Sequence, residues 1–312
     1  MSLPQLSERA APAPSRPLLV LLLKAMRPKQ WIKNLLVFAA FVFTLNERWR
    51  PMSPSMWSFL AISTAAFAIF CAISSSIYLL NDVSDVAKDR LHPVKRNRPV
   101  ASGALSTRAA VVTALVLLPV SLSCAWLLNP AFAAIVAAYA LMQLAYTFLL
   151  KNIVLVDVFV IAIGFVMRAI SGAVVLHADI SPWLYTVTLL GSLFMGFCKR
   201  RNELLLLDSD AGAHRKILEH YTPSLLDSLT SIVASATIMA YSLYTFTSPK
   251  LPANHLMMLT IPFVIFGMFR YLYLAHSQNE GGSPEEVFFK DRPLIATIAL
   301  WITSTGIILA LR

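Results

Sequence analysis

The 312 residues are 57% hydrophobic and 13% charged, with a mean hydropathy of +0.68. One water-soluble core cannot bury that much apolar surface, so a soluble globular domain is excluded and an integral membrane protein is indicated. The net charge of +10 does not imply nucleic acid, because the 26 Lys and Arg sort by the two sides of a membrane. Residues 1–17, rich in Ala, Pro and Ser, read as a disordered tail, and 18–312 as a single membrane domain. The run LLVLLL ends at Lys24 with no small-residue cleavage site after it, so 18–30 reads as an interfacial helix, not a signal peptide. A bilayer crossing needs roughly 20 apolar helical residues. Nine stretches fit: 31–46, 57–80, 109–128, 131–150, 153–176, 180–198, 228–248, 252–275 and 293–311. The predicted class is all-α, with no alternation of the kind a barrel requires. Spans 1–4 correspond weakly to spans 5–8.

Giving the spans alternating ends places 20 of the 26 bases on the side of the N-terminus, four on the other side and two, Arg168 and Arg270, inside spans. The positive-inside rule makes the N-terminus and the loops 81–108, 199–227 and 276–292 cytoplasmic. Cys71, Cys124 and Cys198 each fall inside a span without metal or disulfide spacing and read as packing residues.

The chemistry gathers where apolar runs end. After 24 uncharged residues, Trp57 to Leu80, comes NDVSDVAKD. A continuous helix would put Asp82, Asp85 and Asp89 on one face, with Asn81 beside them. Three like charges so placed repel unless a cation joins them, and hard oxygens suit Mg2+ carrying phosphate. A solvated helix end with acid–base pairs is the alternative. Lys95, Arg96 and Arg98 follow between Pro93 and Pro99, as donors for a diphosphate or as a loop meeting anionic lipid. MRPKQWIKN adds Lys29, Lys33 and Asn34, either phosphate ligands or anchors at the membrane edge. KRRNELLLLD offers Lys199, Arg200 and Glu203, with Lys199 and Glu203 spaced i, i+4 for a helix-end salt bridge or for phosphate binding. Inside spans, Asp157 and Arg168 lie about three turns apart on one face and Tyr146 lies near a span end; each could line a cavity or make a structural contact. Phosphate loops, Walker motifs, metal-type Cys/His clusters and Ser-His-Asp arrangements are missing.

NDVSDVAKD at the end of the second span resembles the NDxxDxxxD motif of the UbiA superfamily of intramembrane prenyltransferases. Together with RPKQWIKN, RAISGAVV, GSLFMGFCKRRNEL and KDRP, it is similar to the decaprenyl-phosphate phosphoribosyltransferase branch. The resemblance implies a UbiA-type bundle with a cytoplasm-facing cavity in a bacterial plasma membrane. It also implies Mg2+ as cofactor, with 5-phosphoribosyl 1-diphosphate and a polyprenyl phosphate as substrates, in the supply of a cell-wall arabinan precursor; a homo-oligomer is compatible with it. Asp82 and Asp85, assisted by Asn81 and Asp89, would hold the metal on the leaving diphosphate, and Lys95, Arg96 and Arg98 would neutralise its charge. Lys199, Arg200 and Arg168 would place the acceptor phosphate, and Lys29 and Lys33 the 5-phosphate. Where most of the superfamily has a second Asp-rich motif, this chain has KRRNE, which favours one metal-diphosphate site and one cationic phosphate site. The rival expectations are a prenyltransferase acting on an aromatic acceptor, which needs that second acid cluster, and a transporter with a phosphate-recognising mouth.

Overall fold

The computed structural model describes residues 17–92, 94–205, 216–277, 287 and 290–311. The expected tail, 1–17, lies outside them except for Pro17, as do much of the second and third loops. Among the described residues these α-helices run in chain order: α1 Leu18–Ala25, α2 Ala39–Phe43, α3 Pro54–Ser84, α4 Val86–Leu91, α5 Thr107–Leu128, α6 Pro130–Phe148, α7 Val156–Val175, α8 Pro182–Leu205, α9 Pro223–Thr247, α10 Ile261–Ser277 and α11 Arg292–Ala310. A 3-10 segment, Pro28–Phe38, precedes α2. No strand occurs among the described residues; Leu45 and Trp49 form an isolated bridge. Starts are set by a polar cap with proline just inside the helix. Ser53, Asn129, Thr222 and Asp291 each accept a first-turn backbone N–H ahead of Pro54, Pro130, Pro223 and Pro293.

Seven helices among the described residues are long and apolar enough to cross a bilayer. The other two expected spans differ from ordinary crossings for separate reasons. Span 31–46 folds as the 3-10 segment and a five-residue α2. Since a 3-10 turn rises about 2.0 Å per residue against 1.5 Å for an α-helix, these 16 residues still reach roughly 30 Å. Span 180–198 is α8, whose 24 residues suffice in length, but Thr, Ser, Gly and the terminal bases dilute its apolar content.

The bundle is two half-cores sharing α7. Ala173 and Val175 pack with Phe70, Ile73, Phe132 and Val136 of α3 and α6, while Val158 and Ala162 pack with Phe194, Leu226, Tyr271 and Leu294 of α8 to α11. The shared helix is also the most buried of the spans. All three cysteines are free thiols; Cys71 and Cys198 are buried, as expected of packing residues, whereas Cys124 is exposed. Ion pairs fix which ends meet. Asp85 at the end of α3 bonds Lys151 after α6, and Asp157 at the start of α7 bonds Arg200 near the end of α8. At the opposite end Arg48 donates to the Leu176 carbonyl and Lys250 pairs with Asp179.

Candidate active site

At the Asp82 end, the expected single helix through NDVSDVAKD breaks. Asp85, with φ −95° and ψ 7°, closes α3, and α4 restarts at Val86, while Asp82 and Asp89 still meet on the same Arg98 nitrogen. Among the described residues no three Asp, Glu, His or Cys side chains converge as a metal cluster. Bases separate the acids instead. Arg98 Nη1 donates to Asp89 Oδ2 at 2.5 Å and to Asp82 Oδ1 at 3.3 Å; Arg27 also pairs with Asp82 Oδ1; Lys151 Nζ reaches Asp85 Oδ1 at 3.2 Å. Asp82 is 2% exposed and Asp85 27%. Asn81 Oδ1 is buried without a hydrogen-bond partner among the described residues. The loop that delivers Arg98 is built locally. His92 Nδ1 accepts from the Val94 and Lys95 amides, starting a 3-10 turn over Lys95–Asn97, after which Arg98 is extended, as the residue before Pro99 must be. Lys95 is half-buried and Arg96 exposed on that turn.

The second charged centre joins the halves of the bundle. Arg200 Nε donates to Asp157 Oδ2 at 2.6 Å, its Nη1 pairs with Glu203, and its Nη2 lies 3.5 Å from Tyr146 Oη. Asp157 and Arg200 are 0% and 2% exposed. The helices meet closely here because Gly196, one turn before Arg200, has no side chain: a Cβ there would stand 2.6 Å from Val158 Cγ1. Tyr221 Oη donates to Asp157 Oδ1 at 2.8 Å and accepts from the Leu155 amide at 2.7 Å, holding Leu155 at φ 66°. Burial pushes the Tyr221 phenol above its ordinary pKa, so it remains a donor. Glu203 pairs with Arg200 at i, i+3, and Arg200 points inward to two carboxylates, Asp157 and Glu203. Lys199 is half-buried on the same turn.

Arg168 lies deep in the bundle, 4% exposed. It donates to Asn34 Oδ1 (2.7 Å), the Gly164 carbonyl (2.7 Å) and Tyr139 Oη (2.6 Å), and it stacks on Tyr139 at 4.7 Å. Asn34 and Arg168, expected at the site, are thus brought together as a clamp between the 3-10 segment and α7. That segment is seated tightly, since a Cβ at Gly172 would fall 2.0 Å from the Val37 carbonyl oxygen. Lys29 is exposed at its start. Lys33 lines a cavity of about 810 Å³ between the 3-10 segment, α2 and α8 to α11. Its wall is mostly apolar, with Phe165, Met195 and Trp301, and it extends to Asp179 and Lys250 at the far end. None of the motif aspartates lines this cavity, so the charged centres and the apolar space adjoin without merging.

Spacing did not reveal Arg27, Lys151, Tyr139 or Tyr221. Arg27 stands in the MRPKQWIKN stretch already noted, but its partner is 55 residues away.

A helical bundle with charged centres on one rim and an apolar cavity beneath defines a multi-pass membrane protein that handles a polar group attached to, or passed to, a lipid. The chain belongs to the UbiA prenyltransferase family, whose model matches residues 35–292. Decaprenyl-phosphate phosphoribosyltransferase of Mycolicibacterium smegmatis is 37% identical over 98% of this chain and 98% of its own. The protein of that name from Mycobacterium tuberculosis strain H37Rv is 36% identical over 96% and 98%. A solved UbiA homolog from Archaeoglobus fulgidus, bound to GPP and Mg2+, superposes with a TM-score of 0.71 over 94% of this chain and all of its own at 18% identity, which makes the fold common to both.

Proposed function

We propose that this enzyme transfers 5-phosphoribosyl from 5-phosphoribosyl 1-diphosphate to a polyprenyl phosphate, with decaprenyl phosphate as the model acceptor. The near full-length similarity to the two mycobacterial phosphoribosyltransferases carries the reading. The ribose C1–O bond to diphosphate breaks, an acceptor phosphate oxygen bonds to C1, and diphosphate leaves.

The Asp82 centre has the chemistry of a Mg2+ site: hard oxygens, a nearly buried carboxylate and the unpartnered Asn81 oxygen. Asn81, Asp82, Asp85 and Asp89 are the residues that would hold the ion. When bound, it supplies Lewis-acid stabilisation to the diphosphate. Lys95, Arg96 and Arg98 take up charge that grows on the diphosphate as C1 becomes oxocarbenium-like. Lys29 and Lys33 receive the 5-phosphate. Lys199 orients the acceptor phosphate, while Arg200, Glu203, Tyr146 and Asp157 fix the helix end that presents it, and Arg168 with Asn34 fixes the segment bearing Lys33. That phosphate has a second pKa of about 6, so it is already a nucleophile and no strong base is required. The acceptor tail fits the apolar cavity. The side of the membrane to which the sequence assigns 20 of 26 Lys and Arg is the cytoplasmic side of a bacterial plasma membrane.

Purified protein given Mg2+, labelled 5-phosphoribosyl 1-diphosphate and decaprenyl phosphate is expected to yield a labelled lipid. A missing lipid product, with turnover of a prenyl diphosphate onto a hydroxybenzoate, would overturn the assignment.

A further inference from the structure

Arg27 stands between α1 and the 3-10 segment with φ 55° and ψ 63°, a left-handed conformation unfavourable to any residue bearing a Cβ. Such an outlier persists only where its surroundings over-determine it. Here they are visible: the guanidinium lies 4.9 Å over the Tyr78 ring and pairs with Asp82 Oδ1. Tyr78 and Asp82 are i, i+4 neighbours on α3, so they form one continuous seat for the side chain. Arg98 touches the same Asp82 oxygen at 3.3 Å, but its shorter bond, 2.5 Å, goes to Asp89. Asp82 is therefore chiefly the partner of Arg27, and Asp89 that of Arg98. The exposures differ as well, 26% for Arg27 against 2% for Asp82, so the cation sits between the buried carboxylate and the outside.

We propose that Arg27 is a donor-binding residue that serves as the counter-ion of Asp82 until the donor arrives. The inference rests on the metal-diphosphate reading of this centre. Asp82 Oδ1 already carries two positive groups, Arg27 and Arg98, so a divalent cation reaching it competes with the guanidinium paired there most directly, that of Arg27. Displacement alone leaves Arg27 without its carboxylate, which makes the metal a poor ligand by itself. A diphosphate removes this cost, because its oxygens match the planar fork of the guanidinium. Metal and donor consequently bind together, each tightening the other.

The test uses the full-length protein in nanodiscs, with Mn2+ binding followed by electron paramagnetic resonance and inorganic diphosphate binding followed by calorimetry in Mg2+. Arg27→Gln is expected to tighten donor-free Mn2+ binding roughly tenfold and to weaken diphosphate binding by a similar factor, the size of one charge-assisted hydrogen bond. Arg27→Lys should restore weak Mn2+ binding but only part of the diphosphate affinity, because an ammonium lacks the fork. A purely structural Arg27 would weaken both ligands together. Mn2+ binding that is unchanged or weaker in Arg27→Gln, or that stays tight in Arg27→Lys, overturns the counter-ion role. Wild-type protein that binds no Mn2+ even with diphosphate present overturns the metal site and this inference with it.

Discussion

The Asp82 and Asp157 centres are both built from ion pairs at the same end of the bundle around a buried aspartate, yet they differ in how open their bases are. At Asp82 the bases come from loops and from the stretched first segment, with side chains 17% to 28% exposed, and each acid has a separate principal partner. At Asp157 a single guanidinium, 2% exposed, is shared by two carboxylates and backed by Tyr221 and Tyr146. Pairs reached by water exchange partners readily, whereas a buried pair cannot be parted without leaving an uncompensated charge. The first centre is thus equipped to trade its own bases for those of a ligand. The second holds α7 to α8.

This contrast can be broken most sharply at its two aspartates. Asp82→Asn should lower labelled-lipid formation on the order of 10³-fold, as loss of a preorganised electrostatic group does, with the unfolding temperature nearly unchanged. Instability matching that of an Asp157 variant would erase the distinction. Asp157→Asn should instead cost about 3 kcal/mol of stability, read from the midpoint of denaturation in detergent, because Arg200 then keeps only Glu203. A stable Asp157→Asn protein devoid of activity would move Asp157 into the chemistry. Gly172→Ala sharpens the role of the segment between the centres. Its Cβ would collide with the Val37 carbonyl, so the 3-10 segment that follows Arg27 and bears Lys33 must shift; stability should fall by about 1–3 kcal/mol, as overpacking costs, and kcat/KM about tenfold.

The smallest effect concerns Asp291, away from both centres. Hydrogen bonding from Arg270 holds its carboxyl below the ordinary value of 3.8. A carboxylate with a lowered folded pKa contributes stability above the unfolded value and loses it as pH falls through the folded one. Thermal stability should therefore decline below about pH 4 more steeply in the wild type than in Asp291→Asn.

Much of this was legible in the residues alone. The apolar runs declared the membrane class, and the charge at the end of α3 located the chemistry, because hydropathy and charge pattern are local properties. Pairing is not local. Which base meets which acid depended on the convergence of segments 43 to 66 residues apart in the chain, so Arg27 and the Asp157 partner of Arg200 went unnoticed. The 3-10 form of the first segment was equally hidden, since it rests on the Arg168–Asn34 bond and on the room left by Gly172. The sequence by itself determined where charge stands along the chain and in the membrane. Only the tertiary structure decided which charges are spent on each other and which stand where a ligand can claim them, because that is a question of distance and burial in three dimensions.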